Sequence, residues 1–430
     1  MLSKENALFK ESAISVKVFY ILGLAFVIFG LTQQPLGELW DGLVTINTSA
    51  SSLVTDYLAV GGIGAAFVNA GLLLIFDAFV IRDDGWVKSG PLFAALLTCL
   101  GLGFMGKTII ATIPLTLGVF LHSKYNDKEF ISMGTDALFI TTLAPFVNLV
   151  AFGLGMNPII GIVVAYISGT LLGFFLPYLS AKFASFHEGF SLYGYGFIAG
   201  VGGLLVISVM RGWGAPVAVE GSLFEQTPMA SMIFVIATLV VFIILGFVLA
   251  NNGGSGYGKY LKEVTGKGYK TLFNDYGVGV NLINAGVVGL VGVAYLLLIG
   301  APINGAAISG IFVMSGFGAF GKTPVNIIPI MLGVWIYQAI APGTDPAATG
   351  SFLAALYGTT LAPMSGEFGP VVGVIAGMTH AAVVGNLTPL HAGVNLYNNG
   401  FSGAFVATVY SVILKNFITP KSDKRALEKK

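Results

Sequence analysis

Charged side chains are scarce in this sequence of 430 residues. Asp, Glu, Lys and Arg make up 10% of it, whereas soluble domains carry roughly 25%. Hydrophobic residues account for 55%, and the mean hydropathy is +0.86. The shortage of charge excludes an ordinary soluble domain, so lipid is the predicted solvent.

Cysteine and histidine are also scarce, which limits the chemistry open to the chain. Cys99 is the only cysteine, so neither an internal disulfide nor a cysteine-ligated metal cluster can form. His380 and His391 fit no metal-ligand spacing, and no Ser-His-Asp set or carboxylate pair is recognisable. We therefore predict no metal site, no cofactor, no catalytic residue and no enzyme activity.

Long apolar stretches fill the sequence, and their motifs occur twice. The tripeptide Asn-Ala-Gly at Asn69 returns at Asn284, 215 residues later. At this same offset, eight further residues recur without a gap: Gly101, Gly103, Gly106, Lys107, Thr108, Pro114, Leu117 and Gly118 return as Gly316, Gly318, Gly321, Lys322, Thr323, Pro329, Leu332 and Gly333. Thr-Thr-Leu-Ala-Pro and His-x-Gly-x-x-Leu-Tyr-x-x-Gly-Phe segments follow in both halves. This ordered series predicts two copies of one membrane unit, residues 1–215 and 216–430, which together form one transmembrane domain.

Each copy is predicted to contain five spanning helices, because a span needs roughly 20 apolar residues. The predicted spans are 15–31, 57–81, 135–154, 158–179 and 189–210 in the first copy, and 230–250, 276–299, 351–363, 369–387 and 393–414 in the second. After the second span of each copy, an apolar stretch broken by Gly-Lys-Thr runs over 90–121 and 305–336. Arms of about 15 residues are too short to cross roughly 30 Å of hydrocarbon, which predicts one re-entrant helical hairpin per copy.

The basic residues give the orientation, because Lys and Arg accumulate in cytoplasmic loops. With the N-terminus inside, the predicted outer segments 32–56 and 339–350 contain no basic residue. Five spans is an odd number, so the second copy enters the membrane from the opposite face. The sequence thus predicts an all-α polytopic integral membrane protein of two inverted repeats, placed in a bacterial inner membrane with both termini cytoplasmic. The basic tail 421–430 suits that face or anionic lipid headgroups, and no feature indicates nucleic-acid binding.

Segments 101–108 and 316–323 match the phosphate-loop pattern, but neither follows a strand. Glycines at a hairpin tip let N–H groups converge, and a buried ammonium requires an anion or a carbonyl partner. We therefore predict that Lys107, Thr108, Lys322 and Thr323 contact a substrate where two tips approach from opposite faces. The alternative is that both lysines reach a water interface and only fix the depth of the hairpins.

Other polar residues are candidates for the same site. Asn69 and Asn284 lie mid-span, where an amide can bind a substrate or stabilise the neighbouring hairpin. The starts of the last spans supply donors, acceptors and aromatic walls for a narrow pore, or interfacial anchors: His187, Tyr193, His391, Asn395 and Tyr397. Asp77 is expected to lie near the inner end of its span, within reach of Arg82, and to pair with it or to snorkel. Glu367 is expected to be an inside-loop carboxylate, with a proton or cation site as the alternative.

With these paired motifs, the chain resembles over nearly its whole length an uncharacterised bacterial family, domain of unknown function 1576. The layout of two spans, a dipping element, three spans and an inverted copy is also similar to that of urea transporters. Residues 192–196, Leu-Tyr-Gly-Tyr-Gly, resemble the Leu-Tyr-Gly-Tyr-Asn that opens the last span of that family. The resemblance implies a continuous pore between the dipping elements and the last spans. At the tips, Gly-Lys-Thr replaces the asparagine-proline signature of urea transporters.

The leading hypothesis is a channel or transporter for a small polar solute or ion, with an anionic group favoured because both tips carry lysine. One alternative is a channel for neutral, urea-like amides. A membrane subunit of a flavin redox complex is another, although its Ser-Gly-Ala-Thr attachment pattern is missing here. Residues 366–370, Gly-Glu-Phe-Gly-Pro, leave a chloride-channel-like anion exchanger open. A homo-oligomer is also left open.

Overall fold

A computed structural model describes residues 9–82, 84–183, 186–217, 221–250, 254–267 and 272–428. Within these ranges the chain is almost entirely helical. Three short strands, β1 (Phe9–Lys10), β2 (Ala13–Ser15) and β3 (Trp86–Val87), form an antiparallel sheet in that order. Ile14 of β2 pairs with Phe9 on one side and Val87 on the other, which ties the start of the chain to a later loop.

The first half of the chain contains nine α-helices: α1 (Val16–Leu31), α2 (Leu36–Thr48), α3 (Tyr57–Val80), α4 (Gly90–Leu102), α5 (Ile109–Tyr125), α6 (Gly134–Ile140), α7 (Ala144–Asn148), α8 (Pro158–Phe183) and α9 (Gly194–Gly212). Short 3₁₀ and π turns join α6 and α7 into one apolar run, Phe130–Gly153.

The second half contains ten: α10 (Met229–Leu249), α11 (Gly256–Glu263), α12 (Leu272–Ile299), α13 (Gly305–Gly318), α14 (Pro324–Ile340), α15 (Thr349–Gly358), α16 (Ala362–Phe368), α17 (Pro370–Leu387), α18 (Asn398–Leu414) and α19 (Lys421–Glu428). A 3₁₀ turn, Thr359–Leu361, joins α15 to α16, and another, Thr388–His391, follows α17. Lys429 and Lys430 of the basic tail lie outside the described residues.

Seven helical segments in the described ranges are long and apolar enough to cross a membrane, as expected of a polytopic membrane protein. They coincide with seven of the ten predicted spans: Tyr57–Val80, Phe130–Gly153, Pro158–Ser180, Gly194–Gly212, Met229–Leu249, Leu272–Ile299 and Pro370–His391. The other three predicted spans are also helical, but they are shorter or broken. The helix pairs α4–α5 and α13–α14 form the two stretches interrupted by Gly-Lys-Thr, and all four helices are short and apolar.

Three helices were not predicted: α2, α11 and α19. Residues 32–56 were expected to be an outer loop, but α2 lies within them and turns by 120° from the direction of α1. The long helices α3 and α12 also contain a break, at Gly62 and Gly277, where φ is +86° and +76°. These glycines are 215 residues apart, so the same distortion recurs at the same position of each half.

Helices α4 and α13 pack against each other in antiparallel directions at the centre of the molecule. Gly101 near the end of α4 contacts Ser309 near the start of α13, and Gly316 near the end of α13 contacts Ala94 of α4. Gly90, the first residue of α4, lies against Ala319 just after α13. The end of each helix therefore lies beside the beginning of the other. Helices α3 and α12 flank this pair, and α9 crosses α18 nearby.

Candidate functional site

The turns after α4 and α13 carry Gly-Lys-Thr and are called here the first tip (residues 103–108) and the second tip (residues 318–323). Gly106 and Gly321 have φ of +74° and +114°, which L side chains rarely adopt, so both turns need glycine. Thr108 then caps α5 through its hydroxyl, which accepts from Ala111 N at 3.3 Å. Thr323 starts α14, and its N–H donates to Asn326 Oδ1 at 2.8 Å. The two threonines thus begin the second helix of each pair.

The two Asn-Ala-Gly motifs hold these tips in place. Asn69 Nδ2 donates to Gly103 O at 2.7 Å and to Lys107 O at 3.0 Å. Asn284 Nδ2 donates to Gly318 O and Lys322 O, both at 2.7 Å. Both amide nitrogens are therefore occupied by tip carbonyls that have no partner in their own helix. Of the two roles considered for these asparagines, the contacts are those of hairpin stabilisation.

Lys107 of the first tip is neutralised inside the protein. Its ammonium is fully buried, lies 3.6 Å from Asp77 Oδ2, and donates to Cys99 Sγ at 2.7 Å. Asp77 was expected to pair with Arg82, and this was wrong. Asp77 is itself buried, while the guanidinium of Arg82 lies over the Phe79 ring instead. The expectation that Lys107 could reach a water interface is also wrong, because its side chain has no exposed surface.

Lys322 of the second tip is equally buried, but its partners are neutral. Its ammonium donates to the hydroxyl of Tyr193 and to Thr359 Oγ1, the latter at 2.6 Å. It also lies 4.5 Å from the centre of the Tyr193 ring and 5.2 Å from that of Phe317. In the described part of the chain, no carboxylate forms an ion pair with Lys322. The two equivalent lysines therefore have opposite electrostatic surroundings.

A pair of stacked tyrosines links the two lysines. The rings of Tyr193 and Tyr397 lie with centroids 4.7 Å apart and planes 19° apart. Gly196 of α9 and Gly400 of α18 allow this approach. A Cβ at Gly196 would lie 2.7 Å from Tyr397 O, and a Cβ at Gly400 would lie 2.7 Å from Tyr193 O. Tyr397 shares a 2.7 Å hydrogen bond with the hydroxyl of Thr98, which precedes Cys99. The resulting chain runs from Lys107 through Cys99, Thr98, Tyr397 and Tyr193 to Lys322.

His187, His391 and Asn395 lie near this series of contacts, and they differ in their hydrogen bonds. His187 Nδ1 accepts from Gly189 N at 3.2 Å, so the neutral ring carries its proton on Nε2, and Nε2 has no hydrogen-bond partner in the described residues. His391 Nε2 instead bonds Asn398 Oδ1 at 2.8 Å. Asn395 Nδ2 donates to Gly196 O at 3.0 Å, across the crossing of α9 and α18. In the described residues, His187 therefore keeps an unpartnered Nε2 donor, whereas His391 uses Nε2 and keeps an unpartnered Nδ1.

Two cavities approach the region around these last helices. The larger, about 600 Å³, is called here the Asp136 cavity, and its wall includes Asp136, His187, Ser191, Tyr195 and Phe320. The other, about 420 Å³, is called here the Arg211 cavity, and its wall includes Arg211, Thr388 and Gly393. Since Gly393 is the repeat counterpart of Gly189, which also lines the Asp136 cavity, the two cavities lie beside equivalent segments of the two halves.

Sequence reasoning did not include Asp77, Thr98, Thr359 and Asp136 in the candidate site. A signal existed for Asp77: a carboxylate in an apolar span, eight residues and about two turns after Asn69, faces the same neighbouring helices as that asparagine. No comparable signal existed for the hydroxyls, which are common in such spans. Glu367 was expected in a loop. It is buried, and it accepts hydrogen bonds from the Thr265 hydroxyl and from Ser422 N.

The protein-family model described as "Protein of unknown function (DUF1576)" matches residues 36–212 and 259–416. The chain belongs to this family. The matched regions of this DUF1576 protein include both tips and both stacked tyrosines. No curated protein and no solved structure matches the chain significantly. Membership of this family assigns no activity. The observations that bear on function are the series of contacts from Lys107 to Lys322.

The buried cluster between the two tips of this DUF1576 protein offers groups that can contact a ligand. Across the described ranges, no group of three or more His, Cys, Asp or Glu side chains could hold a metal ion. What the cluster offers is one buried ammonium without a counter-charge, hydroxyl donors and flat aromatic walls. These groups suit a small polar or anionic ligand.

Proposed function

We propose that this protein is a membrane transporter for a small anionic solute and that Lys322 is the residue that attracts the anion. The main observation behind this proposal is that the lysines of the two tips have different partners. Lys107 has a carboxylate at 3.6 Å, whereas the partners of Lys322 among the described residues are two hydroxyls and two aromatic rings. Moving an ammonium out of water costs several kcal/mol even after relaxation, and an anion bound beside Lys322 would offset that cost.

The proposed architecture is a pair of inverted repeats, each with five spans and one re-entrant helix pair. The antiparallel packing of α4 and α13 supports it, because two equivalent helices that enter from opposite faces run in opposite directions. The short lengths of 13, 17, 14 and 17 residues for α4, α5, α13 and α14 support re-entry rather than crossing. We place the termini in the cytoplasm of a bacterial cell, as the positive-inside rule requires.

In this orientation the Asp136 cavity opens to the cytoplasm and the Arg211 cavity to the outside. Ser191 and Leu192 in the wall of the Asp136 cavity directly precede Tyr193, a partner of Lys322. Phe320 of the second tip lies in the same wall. In this proposal, Tyr193 and the second tip form a partition between this cavity and the ammonium. Movement of the partition would admit an anion to Lys322 from the cytoplasmic side.

The test is anion flux into proteoliposomes, with chloride, nitrate, phosphate and sulfate as probes and urea as the neutral probe. We expect the wild type to pass at least one anion faster than empty vesicles. Lys322→Met should reduce this flux about tenfold or more, because a hydrogen bond to a charged group contributes about 1.5–3 kcal/mol. Lys88→Met makes the same chemical change at an exposed lysine and should leave the flux unaltered.

Folding is checked by size-exclusion profile and by thermal stability of each variant. An anion should also raise the melting temperature of the wild type but not that of Lys322→Met, which gives a readout independent of flux. Wild-type vesicles that pass urea but no anion, or equal anion flux in wild type and Lys322→Met, would contradict the proposal.

A further inference from the structure

Asp136 differs from the fully buried carboxylates of the described residues. Asp77 pairs with Lys107, and Glu367 binds the hydroxyl of Thr265 and the N–H of Ser422. Asp56 accepts from Leu58 N at 2.8 Å and from Gly305 N at 3.0 Å, so it caps two helices. Each of these three is held by protein groups. Asp136 is half-buried and lies in the wall of the Asp136 cavity.

The surroundings of Asp136 contain donors but no fixed cation in the described residues. Its carboxylate is within hydrogen-bonding reach of the hydroxyls of Tyr195 from α9 and Ser180 from α8, and His122 on α5 interacts with it electrostatically. The His122 ring is held by Phe174 O at 2.8 Å. From the segment before α9, His187 lines the same cavity with an unpartnered Nε2–H, although its side chain is 94% buried. Ser89, which precedes α4, and Pro91 of α4 also line the wall, and neither is charged.

We infer that Asp136 is the binding site for a proton that is transported together with the anion. On the outward-facing side of the cycle, Asp136 takes up one proton from a hydronium ion, leaving water and a neutral carboxylic acid. It then returns the proton to water in the cavity on the cytoplasmic side. The inference rests on the proposed transport function. It adds to that function the coupling ion and the residue that carries it.

Two physical arguments support a proton here. Asp136 lies within the candidate span Phe130–Gly153 and lines a cavity. Ionisable side chains in such spans are costly and commonly mark ion or proton pathways. Uptake of a monovalent anion into a negative cell interior costs about 2.3 kcal/mol per 100 mV, and one accompanying proton makes the step electroneutral. The hydroxyls of Tyr195 and Ser180 and the Nε2–H of His187 can exchange protons or bond water beside the carboxylate. The position next to the Tyr193 partition places the proton site close to the anion site.

The experiment measures anion exchange and proton-coupled anion accumulation separately. It uses proteoliposomes with pyranine as an internal pH reporter and nitrate or chloride as the anion. Anion exchange at equal pH tests the proposed function. Anion accumulation driven by an acidic exterior, with matching internal acidification, tests the proton site. We expect the wild type to show both. Asp136→Asn should keep exchange within about twofold but lose accumulation and acidification, and Asp136→Glu should restore them.

Ser132→Ala, which alters another wall residue of the same cavity, is the matched control and should behave as the wild type. A stable Asp136→Asn protein that still accumulates anion would overturn the inference, as would a wild type that exchanges anions without any response to the pH gradient. Loss of exchange together with accumulation in Asp136→Asn would also overturn it, because Asp136 would then serve more than the proton. Absence of exchange in the wild type would instead count against the proposed function.

Discussion

The difference between the two buried lysines can be measured as a difference in stability. Lys107 and Asp77 are both almost completely buried, with Nζ and Oδ2 3.6 Å apart. At an effective dielectric constant of about 20, unit charges at this distance attract by roughly 4 to 5 kcal/mol. Removing one partner leaves the other charge buried and alone, which typically costs about 3–5 kcal/mol. Lys107→Met and Asp77→Asn should each lower the free energy of unfolding by that amount.

The double variant should be less destabilised than the sum of the two single variants, because neither charge is then left behind. We expect a coupling energy of about 2 kcal/mol or more. Lys322→Met should behave differently, since no carboxylate in the described residues pairs with that ammonium. Its unfolding free energy should change by less than about 1 kcal/mol, or should rise, because the hydroxyls left behind are neutral.

Unfolding in mixed micelles, with increasing mole fraction of sodium dodecyl sulfate, gives these free energies. The exposed pair Lys88 and Asp84 supplies the control, because Lys88→Met should cost no more than about 1 kcal/mol. The electrostatic reasoning is refuted if Lys107→Met costs no more than Lys88→Met. It is also refuted if the effects of Lys107→Met and Asp77→Asn are additive, or if Lys322→Met is as destabilising as Lys107→Met.

Two further predictions concern the tips. Asn69→Ala and Asn284→Ala each remove two hydrogen bonds to buried carbonyls, so each should cost about 1–3 kcal/mol in the same unfolding assay, whereas the exposed Asn386→Ala should cost far less; equal costs for all three would contradict the structural role of the motif. Gly292→Asp combined with Met314→Cys should install beside Lys322 the pair that Lys107 has, raise stability, and abolish anion flux; undiminished anion flux in a stable double variant would count against Lys322 as the anion site.

Much of the helical layout follows from the sequence. Apolar length and the 215-residue repeat located the tips, and glycine and threonine at fixed positions marked their turns. The side-chain pairing could not be predicted in the same way. Asp77 was assigned to Arg82 because the two are close along the chain, but the burial of Asp77 against the tip favours Lys107. Helix α2 was missed because its residues are less apolar than those of a span.

The cavity residues show a second limit of sequence reasoning. Asp136 lies in a segment of mixed short helices and 3₁₀ turns, so no periodicity assigns its side chain to a face. His187 and His391 are equivalent in the sequence, yet one keeps a free Nε2–H and the other bonds Asn398. Repeated motifs predict a repeated backbone. They do not predict the partner of each side chain, because the partner is set by the non-repeated residues that surround it.

The repeated backbone makes the difference in charge informative. At the offset of 215 residues, Asp77 corresponds to Gly292 and Cys99 corresponds to Met314. Gly292 lies against Met314, because a Cβ at Gly292 would be 3.3 Å from the Met314 sulfur. The second half therefore has a thioether where the first half has a carboxylate and a thiol. If both lysines only anchored their tips, the same counter-charge would stabilise both, and the backbone offers equivalent positions for it. The second half instead keeps its ammonium among neutral groups, which costs stability unless an anion joins them. The charge that the fold leaves unbalanced is therefore the part of the cluster that a solute can complete.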